Sequence, residues 1–201
     1  MKIVLKKKIR VRFQSPLSRL IPQNAQQRYE REKDYLLKLK NQVNVPEIIS
    51  FEDEKKEIKM KRYNFTTLQS YLQNPSLENS IKEDYILQAV NVLKKIHDVE
   101  DRVHGDAYTN NFALDNEIMY ALDFDNHRSH PNPKTLDLIM LCADSIYLSK
   151  FNLEEQRQLL EKVKERYGEI KPIKFALRDK AFYKLTFNSN SEFFDFFNKK
   201  T

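Results

Sequence analysis

The sequence predicts an α+β fold in two unequal parts, and three observations carry that expectation. Short β-branched segments and one amphipathic helix occupy the first third of the chain. Helical periodicity dominates the remainder, and a small apolar hairpin between residues 112 and 122 interrupts it. The change of character after Tyr63 places residues 1–63 in a small sheet-plus-helix part and residues 64–201 in a helical part.

Each element follows from local pattern. Lys2-Ile3-Val4-Leu5-Lys6, continuing to Phe13, reads as one or two strands, and 15–23, with Pro16 and Pro22, as irregular chain. Residues 24–39 turn helical, with Tyr29, Leu36, Leu37 and Leu39 on the apolar side. Glu47-Ile48-Ile49-Ser50-Phe51 and Glu57-Ile58-Lys59-Met60 flank a polar turn at 52–56, which predicts a hairpin. Helices are expected at 66–72 and 82–97, the latter with Ile86, Ala89, Val90, Leu93 and Ile96 on one face. Phe112-Ala113-Leu114 and Ile118-Met119-Tyr120-Ala121-Leu122 enclose Asp115-Asn116-Glu117 as a second hairpin. Helices at 135–149 and 153–167 follow, the last stopped by Gly168, and the aromatic tail at 193–197 is expected to pack.

Composition narrows the function classes. With 40% hydrophobic and 32% charged residues the chain can bury a core. No stretch approaches the ~20 apolar residues that span a bilayer, and the apolar start at Ile3-Val4-Leu5 is too short for a signal peptide. The one cysteine, Cys142, lies in an apolar run, so it reads as core, and a reducing, cytoplasmic setting is expected. The net charge of +6 is concentrated in Lys2, Lys6, Lys7, Lys8, Arg10, Arg12 and Arg19. That front suits nucleotide phosphates, nucleic acid or an acidic membrane surface, which extends the expected location to the membrane periphery; a solvated lysine-rich face is the alternative. Only Gly105 and Gly168 occur in the chain, which excludes glycine-rich phosphate loops of both the Walker and Rossmann types.

The chemistry-bearing residues cluster in the second half. Phosphoryl transfer needs a carboxylate to orient an acceptor hydroxyl, and an amide oxygen and a second carboxylate to hold magnesium on the phosphates. His104-Gly105-Asp106 is followed by Asn111, then by a hairpin whose second strand runs into Asp123-Phe124-Asp125. These are the required types in a workable order.

His104 to Asn111 resembles the catalytic loop of the protein-kinase-like superfamily, in the histidine-glycine-aspartate form found among small atypical, sugar and antibiotic kinases. Asp123-Phe124-Asp125 resembles its metal-binding aspartate-phenylalanine-glycine segment, with the aspartate ending familiar in lipopolysaccharide-core kinases of the Kdo/WaaP type. Ile96-His97 resembles the end of the preceding helix, and Asp137 the aspartate that braces the loop from a later helix. The resemblance implies a two-lobed fold whose small lobe lacks the glycine-rich loop, with ATP and Mg2+ between the lobes. It implies Asp106 as base or orienter, Asn111 and Asp123 as metal ligands, Asp125 as a further metal contact or a support to one, and His104 as structural. In the small lobe, Glu32, rather than Glu30, resembles the helix glutamate that pairs with a strand lysine. Val45-Pro46-Glu47 resembles the lead-in to the next strand in lipopolysaccharide kinases and the KEOPS-complex kinase, and residues 59–63, including Met60 and Arg62, the hinge. Lys6 fits the nucleotide-binding lysine, with Lys7 and Lys8 competing; alternation sets Lys7 apart but does not choose between Lys6 and Lys8. The resemblance spans about residues 4–148. The expected acceptor is a hydroxyl on a glycan, such as a lipopolysaccharide core, on a small molecule or on a protein.

Three other readings fit some of these residues. A pseudokinase or scaffold would use the same cleft for binding only. His104, His127 and His130 with Asp106, Asp123 and Asp125 offer ligand types for a transition-metal hydrolase, although none are spaced as a tight helical pair. The basic front with Phe13, Tyr29 and Tyr63 suits a nucleic-acid-binding module.

Overall fold

Helix α1 (Ala25–Leu39) has its start written in the sequence. The Asn24 side chain accepts from Gln27 N–H, and Gln27 returns the contact to the Asn24 amide, a capping box worth about 1 kcal/mol. Tyr29, Glu32, Tyr35, Leu36 and Leu39 form its buried face, so one carboxylate sits on an otherwise apolar stripe. Leu37, expected on that side, is exposed. The computed structural model describes Leu5–Lys6, residues 24–126 and 130–171, and Phe193, Phe196 and Phe197.

Two small antiparallel sheets accompany the helices. In the first, β1 (Leu5–Lys6) pairs with β3 (Glu57–Met60), which also pairs with β2 (Ile48–Glu52), giving the order β1-β3-β2. The β2–β3 hairpin lies where the sequence predicts it, with a register shift between Ile48 and Ser50, and Lys56 takes the left-handed conformation in its turn. The remainder of the expected front strands, to Phe13, and the irregular segment 15–23 lie outside the described residues.

The second sheet corrects one expectation. Thr66 and Thr67, assigned from pattern to a helix, form β4 (Thr66–Thr67), paired with Leu114 and Ala113; helix α2 (Leu68–Leu72) starts only afterwards. Thr67 is β-branched, which suits the strand, and its hydroxyl accepts from Ser70 N–H as the helix cap. The sheet order is β4-β5-β6, with β5 (Phe112–Asp115) and β6 (Ile118–Ala121) joined by Asn116 and Glu117, both at positive φ as a tight hairpin turn requires.

Three long helices build the core around this sheet. Helix α3 (Asn79–Asp98) begins three residues before the expected start and buries Ile86, Ala89, Val90, Leu93 and Ile96. Helix α4 (Pro133–Ser149), with Pro133 in its first turn, is buried on nearly all sides, which is why its sequence is an almost unbroken apolar run. Cys142 lies inside it, and burial pushes its thiol up to about 12. Helix α5 (Leu153–Tyr167) starts on an Asn152–Glu155 capping box and ends at Gly168, whose φ is +87°. It packs on α3, which also touches α4 and β6. Phe193 and Phe197 join the same core, in line with the expected packing of the tail. The result is a mixed α+β molecule, and among the described residues no helix is long and apolar enough to cross a membrane.

Candidate active site

The chain leaves α3 through a turn in which Glu100 and Asp101 both have positive φ, and then runs into His104-Gly105-Asp106. A buried carboxylate fixes this loop. Asp137, on α4, accepts from His104 N–H at 2.7 Å and from Gly105 N–H at 3.0 Å. The same carboxylate meets His97 Nε2 at 3.1 Å, and His97 Nδ1 meets the Tyr167 hydroxyl at 2.5 Å. Seven residues further along α4, Asp144 accepts from Thr109 N–H at 3.0 Å and from its hydroxyl at 2.5 Å. An interval of seven returns a helix to nearly the same face. One face of α4 therefore holds the loop at two points.

Gly105 is required by geometry. Its φ is +84°, and a Cβ there would lie 2.4 Å from the backbone oxygen of Asn126. His104 beside it is fully enclosed, its ring 4.9 Å from Phe124 and 5.5 Å from Phe112 between centroids. Neither of its ring nitrogens has a hydrogen-bond partner among the described residues. Desolvation lowers its pKa despite the opposing pull of Asp137, Asp106 and Asp123, so the ring is neutral and serves as packing.

Asp106 and Asn111 meet directly. The Asn111 amide nitrogen donates to the Asp106 backbone oxygen at 2.7 Å and to Asp106 Oδ2 at 3.2 Å, while Asn126 donates to the same Oδ2 at 3.1 Å. Asn110 donates to Asn111 Oδ1 at 3.1 Å. A single 3-10 turn, Thr109–Asn111, carries Asn111 into β5, and the Asn111 carbonyl accepts from Leu122 N–H at 2.8 Å. That last bond ties the loop to the strand end carrying Asp123, which is half-buried with φ +68°. Asp106 and Asn111 are thus hydrogen-bonded to each other, and Asn111 to Leu122, the residue before Asp123.

Helix α1 reaches this segment. Glu32 Oε2 accepts from Phe124 N–H at 2.6 Å, whereas Glu30 is exposed and receives Gln26. Phe124 is buried, stacked on Tyr35 at 5.6 Å. Asp125 is ion-paired to Arg28 at 2.7 Å. Lys6 pairs through its backbone with Lys59, and Leu5 with Met60; the side chains of Lys6, Lys7 and Lys8 lie outside what is described. Met60 is half-buried in β3 and Arg62 is exposed just after it.

The donor set suits a hard cation that shares its shell with phosphates. Asn111 and Asp123 offer oxygens, and magnesium takes only one or two protein ligands in such sites. Among the described residues no group of three histidine, cysteine, aspartate or glutamate side chains is placed to hold a metal. His104 is packed against Phe112 and Phe124 with no hydrogen-bond partner on either ring nitrogen among the described residues, and His127 lies outside them. Asp144, Arg28 and Tyr35 had no role in the sequence reading. The sequence places Asp144 seven residues after Asp137 and Arg28 four before Glu32, but neither spacing names the residue it meets. Neither a protein-family model nor a curated protein matches this chain.

Proposed function

We propose that the chain is an ATP-dependent phosphotransferase of the protein-kinase-like type, with two lobes, residues 1–63 and 64–201, and a nucleotide cleft between them. The observation that carries this reading is the hydrogen-bonded path from Asp106 through Asn111 to the strand end of Asp123, met from α1 by Glu32. A loop pinned twice by buried or half-buried carboxylates is a rigid platform, and positioning is most of what phosphoryl transfer asks of a protein.

Asn111 Oδ1 and the Asp123 carboxylate hold magnesium on the nucleotide, with Asp125 beside them. Magnesium, when bound, neutralises charge on the phosphate oxygens. Glu32 pairs with a lysine of the front strand, Lys6 by preference, which touches the phosphates, and Met60 and Arg62 lie along the nucleotide. Asp106 orients the acceptor hydroxyl and takes its proton as the oxygen bonds to the γ-phosphorus and ADP leaves. Its own Oδ2 is fixed by Asn111 and Asn126, which sets the direction in which it faces the acceptor. The acceptor class is a glycan hydroxyl, with small molecules and protein side chains as competitors, and the basic front serves an anionic partner or membrane surface at a cytoplasmic location.

One observation favours a binding-only scaffold as second reading. The two glycines are committed elsewhere, Gly105 to the loop and Gly168 to a helix end, so neither supplies a glycine-rich lid over the phosphates. Incubation with γ-labelled ATP, magnesium and a panel of saccharides, small alcohols and serine peptides separates the two. The enzyme reading expects label transfer by the wild type and none by Asp106→Ala, which still binds ATP. ATP binding without transfer to any acceptor or to water supports the scaffold, and no ATP binding at all removes both.

A further inference from the structure

Arg28, Glu32 and Tyr35 follow at i, i+4 and i+7, one stripe along α1. The stripe touches Phe124 and Asp125 side by side. Arg28 Nη2 donates to Asp125 Oδ2 at 2.7 Å, Glu32 accepts from Phe124 N–H at 2.6 Å, and the Tyr35 ring stacks on Phe124 at 5.6 Å. The ion pair is enclosed, with side-chain exposures of 17% for Arg28 and 2% for Asp125. At such burial the attraction is poorly screened, and the direction of a charged hydrogen bond is restrictive. Asp123, immediately before, holds φ +68° without a glycine's freedom, a conformation that persists only where its surroundings over-determine it. The contacts from α1 fall on the two residues that follow Asp123, namely Phe124 and Asp125.

We propose that Arg28 and Asp125 form a positioning pair that fixes the direction in which Asp123 presents its carboxylate, so that Asp125 acts on magnesium-ATP through segment geometry rather than by ligating the metal. The proposal rests on the phosphotransferase reading and replaces its assignment of Asp125 as a metal contact. Charge on Asp125 is already answered by the Arg28 guanidinium, which competes with a metal ion for that carboxylate.

The test uses the full chain as wild type, Arg28→Met, Arg28→Lys, Asp125→Asn and the Arg28→Met/Asp125→Asn double variant. Two quantities are read: amide hydrogen exchange at Phe124 without ligand, and magnesium-ATP affinity by calorimetry. A positioning pair predicts that each single loss speeds Phe124 exchange and weakens magnesium-ATP by about tenfold or more, the range typical of residues that orient a metal ligand. The double variant is then no worse than either single one, and Arg28→Lys recovers part of both effects. If Asp125→Asn alone weakens affinity while Arg28→Met matches wild type in affinity and exchange, Asp125 is a ligand and the proposal is overturned. A wild type that binds no magnesium-ATP instead removes the phosphotransferase reading, an outcome distinct from unchanged behaviour of Arg28→Met.

Discussion

Replacing Asp137 by alanine removes the acceptor for three buried donors at once: the amides of His104 and Gly105 and the imidazole of His97. The Asp137 side chain is 2% exposed, so water does not take its place without opening α4 from the loop. An orphaned buried donor costs about 1–3 kcal/mol each, while relief of the carboxylate's own desolvation offsets part of that sum. The expected loss is roughly 3–5 kcal/mol, at the upper end for a single substitution and a large part of a typical domain's stability. Asp144→Ala is the matched control. It removes the acceptor for one amide and one hydroxyl at a half-buried site, and should lose roughly 1–2 kcal/mol. Urea unfolding reads both. With a slope of about 2 kcal/mol per molar, Asp137→Ala lowers the midpoint by roughly 1.5–2.5 M. A shift below about 0.5 M at unchanged slope, or a larger loss in Asp144→Ala, would refute the claim that Asp137 is the principal brace.

Two further outcomes follow from the loop. Gly105→Ala places a methyl 2.4 Å from the Asn126 backbone oxygen at φ +84° and should cost roughly 2–4 kcal/mol in urea unfolding, whereas Gly168→Ala, at φ +87° with open space around it, should cost about 1 kcal/mol. Equal losses would show that the close approach to Asn126 carries no weight. His104 should add an acid-side slope. Its folded pKa lies below the ordinary 6.5, so below pH 6.5 the unfolded chain binds a proton that the folded chain refuses. Its contribution is complete above that pH and is lost as pH falls, by up to about 1.4 kcal/mol per unit. Stability measured against pH should therefore fall less steeply below 6.5 in His104→Leu than in the wild type; parallel curves would contradict a buried neutral ring.

Much of this arrangement was readable because it was local. The stripe of α1 and the 112–122 hairpin are set by neighbours within a few residues. The 3.6-residue period also separates Glu32, on the buried side, from Glu30, in solvent. Thr66 and Thr67 misled because a helical pattern and a strand partner compete for them, and the partner, β5, lies nearly fifty residues away. Arg28 looked like one more surface charge on a charged helix; only the return of the chain at Asp125 gives it a mate. Asp144 had no sequence neighbour to announce it, since its partner Thr109 lies on the loop. Long-range polar pairs of this kind leave no periodic trace, and they are what orient the candidate site.

The central claim is that Asp123 holds magnesium-ATP in this cleft. Thermal unfolding of the wild type and Asp123→Ala, each with and without ATP plus magnesium, tests it most directly. A ligand at a hundredfold excess over its Kd stabilises the folded state by about 2.7 kcal/mol, roughly 5–10 °C in Tm for a chain of this size. The account predicts that shift in the wild type, dependent on magnesium, and its loss in Asp123→Ala. No shift in the wild type, or an equal shift in both proteins, would contradict it.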